Sequence, residues 1–144
     1  MASIENTNKI ILSWKQKWDN ETNDFDKFIC YWISLNAWYW TFFEINSTKE
    51  RDYINEIKNR LINEIEYFQD EIKLAKSLTP KLRNLTRWNY EIEVNDIWTL
   101  IEFIYIVRNN LFHWNKEDTN DRDIQILNIA TPILLKILNK LLWQ

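Results

Sequence analysis

The stretch DFDKFICYWISLNAWYWTFFE, residues 24–44, decides the fold. Within it Phe25, Ile29, Trp32, Asn36, Tyr39 and Phe43 recur at steps of four, three, four, three and four, the spacing of one face of an α-helix. Tyr31, Leu35, Trp38 and Trp40 occupy the other sides, so the predicted helix is apolar nearly all round. In a small domain such a helix is buried on two faces, by the core on one side and by another subunit on the other. Residues 28–43 carry no charge, yet these sixteen residues fall short of the roughly 17–25 that cross a bilayer. Ser34, Asn36 and Thr41 also interrupt the run, and it is aromatic rather than leucine-rich. A buried helix with no membrane contact is therefore expected.

Composition agrees with a helical fold. The 144 residues suit a single domain and suffice to bury a core; 46% are hydrophobic, nine are Trp, two are Pro and none is Gly. Small strand-rich folds need glycine in tight turns and bulges, whereas helices joined by polar loops do not. The expectation is an all-α, up-and-down bundle of four main helices plus a short N-terminal helix. A net charge of -3 excludes a generally basic nucleic-acid coat protein, so any RNA contact must use a local patch. Cys30, the lone cysteine, cannot form an intramolecular disulfide and reads as an inert core residue. With no signal-peptide pattern, it points to a reducing cytoplasm. One His and one Cys exclude a structural zinc site, and no metal or other cofactor is expected.

In chain order, residues 1–8 are polar and expected to be loose. Ile10, Ile11, Trp14 and Trp18 then predict the short N-terminal helix, and residues 19–24 form a polar hinge with several N-cap candidates. Ser47-Thr48-Lys49-Glu50 reads as a capping box. The helix it opens has the stripe Ile54, Ile57, Leu61, Ile65, Phe68, Ile72 and Ala75, with Glu56 and Arg60 paired on the wet side. It should pack antiparallel on the 24–44 helix and end before Thr79-Pro80. Lys73, Lys76, Lys81, Arg83 and Arg87 follow one another with no acidic residue between Ile72 and Trp88. A solvated charged loop is the common explanation of such a run, and an RNA-contacting patch is the functional one.

Asn95-Asp96 can cap a third main helix with the stripe Ile97, Ile101, Ile104, Arg108 and Leu111, in which an arginine stands where an apolar residue is expected. This helix too is apolar round most of its circumference. It and the 24–44 helix are natural partners for each other and for a dimer interface. A last helix starts near residue 120, with Asp121 and Asp123 at its positive end and Leu127, Ala130, Leu134, Leu138 and Leu141 as its stripe. Pro132 interrupts it, predicting a kink or a break.

Five residues after Arg108 stands His113, the only histidine. Arg carries a permanent forked charge suited to phosphate oxygens, and His exchanges protons near neutral pH. On an ideal helix the two lie about 140° apart, so they meet only if the helix ends between them. Asn109 and Asn110 allow such an ending, because Asn tolerates the left-handed conformation of helix C-termini. From residue type and spacing alone, the more economical account is that both residues cap C-terminal carbonyls.

The segments FICYWISLNAWY, residues 28–39, and VRNNLFH, residues 107–113, resemble the first and third helices of the HEPN superfamily (higher eukaryotes and prokaryotes nucleotide-binding domain), a resemblance covering roughly residues 22–143. Members are small helical bundles, many of them metal-independent endoribonucleases of toxin–antitoxin, abortive-infection and CRISPR systems. Their signature is an Arg, a polar residue and a His after four to six intervening positions; here Asn109 to Phe112 intervene. Two positions depart: Trp114 stands where a glycine commonly follows the histidine, and Asn115 where members paired with nucleotidyltransferase antitoxins have tyrosine.

The resemblance implies an RNA substrate, a homodimer that gathers two Arg108 and two His113, and an antitoxin or other defence-system protein as a partner. Cleavage through the RNA 2′-hydroxyl needs one proton removed, one delivered and extra phosphorane charge stabilised, which two chains do more readily than one. His113 is then the general acid/base, Arg108 the phosphate clamp, and Asn109 and Asn36 orienting or substrate-binding groups. Trp114 is the candidate for base stacking. A non-catalytic helical RNA- or protein-binding module is the alternative.

Overall fold

The computed structural model describes residues 4–20, 23–85, 90–111 and 121–142, without the side chains of residues 15, 18 and 19. His113, Trp114 and Arg87, and the side chain of Trp18, lie outside the described residues. The fold is all-α: α1 (Ile4–Asp19), α2 (Asp24–Phe42), α3 (Glu50–Leu61), α4 (Gln69–Lys76), α5 (Ile97–Leu111) and α6 (Asp121–Leu141).

The helix α1 is longer than expected, taking in residues 4–8. Thr7 is buried and its hydroxyl meets that of Thr41 at 2.9 Å, so this polar stretch is tied to the end of α2 rather than loose. Ile11 and Trp14 face inward, whereas Ile10 is exposed.

Asn23 caps α2 by accepting the amide N–H of Phe25 at 2.8 Å. Its core line runs through Phe28, Tyr31, Trp32, Leu35 and Tyr39. Ile29 and Asn36, which the spacing placed on the central stripe, lie on its flank and are only partly buried. The α2 helix packs on α6, α6 on α5, and α5 on α3, with α4 against both α5 and α6 and α1 against α2. The expected close pairing of α2 with α5 is therefore replaced by a shared neighbour. Ala130, fully buried on α6, and Thr131, whose hydroxyl donates to the Asp24 carbonyl at 3.3 Å, let α6 approach the α2 backbone. Large side chains bridge α2 to α5, Trp32 stacking on Tyr105 at 6.1 Å.

Two helices replace the predicted single one over residues 50–76. Residues 62–68 form turns that send Ile65 into solvent and bring Phe68, fully buried, into the core. Nor does α3 lie along α2 as expected; it packs on α5 and meets α2 through Tyr53, whose ring lies 5.4 Å from that of Tyr39. The expected capping box is not formed: Lys49 is the N-cap, without a side-chain bond, and Ser47 instead accepts the Lys49 N–H at 3.0 Å and pairs with Asp52. The Glu50 carboxylate is drawn into the interior by several donors, which outweigh one exposed cap amide.

Residues 78–85 and 90–95 run without helix and turn Leu78, Leu82, Ile92 and Val94 inward, with an isolated antiparallel bridge between Arg83 and Glu91. Asp96 caps α5 in a reciprocal box: its carboxylate accepts the Thr99 N–H at 2.8 Å, and the Thr99 hydroxyl accepts the Asp96 N–H at 3.1 Å. The α6 helix passes Pro132 without a break. Asn128 and Pro132 both lie on the exposed face, where water can hydrate the carbonyl that the proline leaves without an amide partner. Among the described residues α6 alone has the length and composition to cross a membrane, and half of its most apolar window is buried in this core.

Candidate functional site between α2, α3 and the end of α5

Arg108 sits in the last turn of α5, on the line that Ile97, Ile101 and Ile104 direct into the core. An arginine there needs an anion, and α3 supplies Glu50: Arg108 Nη1 lies 2.9 Å from Glu50 Oε1, with the two side chains 22% and 21% exposed. The same carboxylate accepts Tyr39 Oη at 2.6 Å, Asn36 Nδ2 at 3.4 Å and Tyr105 Oη at 3.3 Å. Asn36 Nδ2 also donates to Tyr39 Oη at 3.1 Å. Arg108 Nη1 donates to Asn109 Oδ1 at 2.8 Å, and its guanidinium carbon lies 5.5 Å from the Trp32 ring centre. Three helices thus converge on one carboxylate and one guanidinium.

Burial, and then the hydrogen bond to Glu50, push the Tyr39 phenol far above its ordinary range. Burial and the Glu50 charge likewise raise Tyr105. Both phenols stay protonated and serve as donors, which holds the Glu50 carboxylate in place.

Nearly two turns before Arg108 on α5 lies a second charged group. Glu102 accepts both terminal nitrogens of Arg51, one of them at 3.1 Å, and Lys58 Nζ at 2.7 Å. Burial alone would raise the Glu102 carboxyl, but Arg51 and Lys58 outweigh it and hold the carboxyl below its ordinary value. Lys58, only 2% exposed, is pushed down by burial despite Glu102 and lies 4.5 Å from the Trp98 ring centre. Arg51 is raised, first by its bonds to Glu102.

Beside Arg108 opens a cavity of about 440 Å³ lined by Ile29, Trp32, Ile33, Asn36, Ala37 and Arg108. Of the site residues expected from sequence, Arg108, Asn109 and Asn36 come together here. The basic run does not form a uniform patch: Lys81 pairs with Glu93 at 3.2 Å and Arg83 with Glu91 at 2.6 Å, while Lys73 and Lys76 are exposed on α4.

Sequence reasoning missed Glu50, Tyr39, Tyr105 and the Arg51–Glu102–Lys58 group. One signal was present: Glu102, Tyr105 and Arg108 follow at steps of three, which aligns two charges and a phenol along one side of α5. Compared with known proteins, the chain matches no family model, no curated protein and no solved structure.

Proposed function

We propose that the chain is a metal-independent endoribonuclease, cutting RNA by attack of its 2′-hydroxyl to leave 2′,3′-cyclic phosphate and 5′-hydroxyl ends. In this reading it works in the cytoplasm as a toxin or phage-defence effector, restrained by an antitoxin or another defence-system protein. Two chains form the composite site, with α2, the α3–α4 pair, α5 and α6 as the main elements of an up-and-down bundle. The observation that carries the reading is the setting of Arg108: a guanidinium oriented by Glu50 and Asn109 at the rim of an open cavity, five residues ahead of the only histidine. Arg108 then clamps the scissile phosphate, Asn109 fixes the guanidinium, and His113 moves the proton.

RNA incubated with the purified protein in excess chelator is expected to be cut, and Arg108→Ala or His113→Ala to lower the rate at least a hundredfold. Cleavage that the chelator abolishes, or that both variants retain, sinks the proposal. Mixing the two variants tests the shared site, since hybrid dimers then differ from either parent.

The Arg108–Glu50 contact also favours a second reading, a non-catalytic helical RNA- or protein-binding module. A charge matched at 2.9 Å is what a structural ion pair looks like. That reading expects Arg108→Ala to lower the melting temperature while RNA stays intact with every variant, wild type included.

A further inference from the structure

The cavity beside Arg108 combines features that the phosphate clamp leaves unused. Three of its walls, Ile29, Ile33 and Ala37, stand at steps of four along α2 and are only partly buried, forming an apolar ridge. Trp32 closes one side. Its indole N–H is buried and meets no acceptor among the described residues, which is unusual for a buried donor. Asn36 is the polar group on the ridge's flank. The Tyr39 hydroxyl donates to Glu50 and so accepts from the Asn36 amide nitrogen, which Glu50 also draws. These bonds fix the orientation of the amide and leave its carbonyl oxygen with no donor among the described residues. At the rim stands the Arg108 guanidinium.

An occupant of this cavity is therefore flat or compact, mostly apolar, able to donate to one carbonyl oxygen, and attached to an anion that lies outside the apolar walls. Single-stranded RNA presents that combination, since its unstacked bases offer an apolar face, N–H donors on the edge and a phosphate one sugar away. The volume of about 440 Å³ falls within the roughly 300–1,000 Å³ of small-ligand sites. We propose that this cavity is a nucleobase subsite: it holds the base adjoining the phosphate at Arg108, between Trp32 and the Ile29–Ile33–Ala37 ridge, with Asn36 Oδ1 accepting from the base edge. The proposal rests on the reading of Arg108 as a phosphate-binding group, and it adds that the chain selects where on RNA it acts by gripping one unstacked base.

The test uses the full chain and a fluorescent tetranucleotide with 2′-O-methyl riboses, which cannot be cut, alongside versions in which each base in turn is removed. Anisotropy is expected to show that one abasic position weakens binding by wild-type protein at least fivefold. Ala37→Phe, which fills the cavity from a partly exposed position, is expected to bind the parent and that abasic oligonucleotide equally. Asn36→Leu is expected to shrink the difference without abolishing it.

Failure of the parent to bind, abasic versions all within twofold of the parent, or a base dependence unchanged in Ala37→Phe each overturns the subsite. An unchanged base dependence together with a shift of Ala37→Phe from dimer to monomer in light scattering assigns the cavity to a second copy of the chain instead. Cleavage of ordinary RNA is followed in parallel. Base dependence without cleavage rejects the ribonuclease reading and keeps the subsite, and cleavage without base dependence does the reverse.

Discussion

Replacing Glu50 with Gln separates the two things that the carboxylate does. The substitution keeps the volume and removes the charge, and the Gln amide turns an NH₂ group toward a set of partners that are all donors: Arg108, Tyr39, Tyr105 and Asn36. Breaking a fully buried pair costs about 3–5 kcal/mol. With about a fifth of each side chain exposed, screening reduces this to about 2–3 kcal/mol. A chain of this size loses about 3 °C of melting temperature per kcal/mol, so a fall of about 6–9 °C is expected.

RNA affinity should move the other way. Glu50 repels any phosphate that reaches Arg108; a unit charge at about 5 Å is worth at least about 0.8 kcal/mol even with the screening of water, a factor of about four in the dissociation constant. Thermal melts and fluorescence anisotropy at one fixed salt concentration measure both quantities on the same preparation. A melting temperature within 2 °C of wild type shows that the pair does not hold the three helices together. Affinity that falls along with stability shows that the anion does not approach Arg108, and refutes its role as a clamp.

Glu102→Gln is expected to flatten the acid limb of the stability profile. The folded carboxyl lies below the ordinary value of 4.5, so its contribution is complete above that value and is lost as the pH falls through the folded value. Melts from pH 7 to pH 3 should fall less steeply in the variant, and parallel curves refute the assignment. Asn110→Ala should cost about 2–4 kcal/mol, because buried Asn110 accepts the Leu85 N–H at 3.0 Å and donates to the Arg83 carbonyl at 2.7 Å, stranding both when removed. Hydrogen exchange reads the effect directly, and an undiminished protection of the Leu85 amide rejects it. Ile65→Ser should stay within about 0.5 kcal/mol, since Ile65 is 46% exposed despite its place in the sequence stripe; a melting loss above 5 °C contradicts that placement.

Helix identity was legible where the apolar period was unbroken, and helix direction was not. In α2 large apolar residues occur on every side, so spacing alone could not tell the core line of Phe28, Leu35 and Tyr39 from the flank of Ile29 and Asn36. That choice was made by α6, which is distant in sequence, together with α1, which directly precedes α2. The break between α3 and α4 left no mark because the stripe continues in phase across it, with neither Gly nor Pro to interrupt it. What decides it is a tertiary gain, the full burial of Phe68 in place of Ile65. Arg108 was legible as a misfit on an apolar line and hence as a residue needing a partner. Its partner stands 58 residues earlier, in a segment whose local pattern fits a cap equally well.

The charges along α3 and α5 explain why one cation of the set meets the cavity. Lys58 lies in the interior beneath Trp98 and is spent on Glu102. Arg51 is more exposed, yet both its terminal nitrogens go to Glu102 and its guanidinium faces the Tyr105 ring at 4.7 Å. Among the described residues Glu102 accepts two cations and, at 3.4 Å, the Tyr90 hydroxyl, whereas Glu50 carries one cation and three neutral donors. Glu50 offsets the positive charge of Arg108 with a carboxylate whose own charge is spread over two phenols and an amide, and Arg108 lines the open cavity. An incoming anion therefore meets less opposition at Arg108 than a bare Arg–Glu pair would present, because the phenols and the amide continue to stabilise Glu50 after the guanidinium turns toward the newcomer.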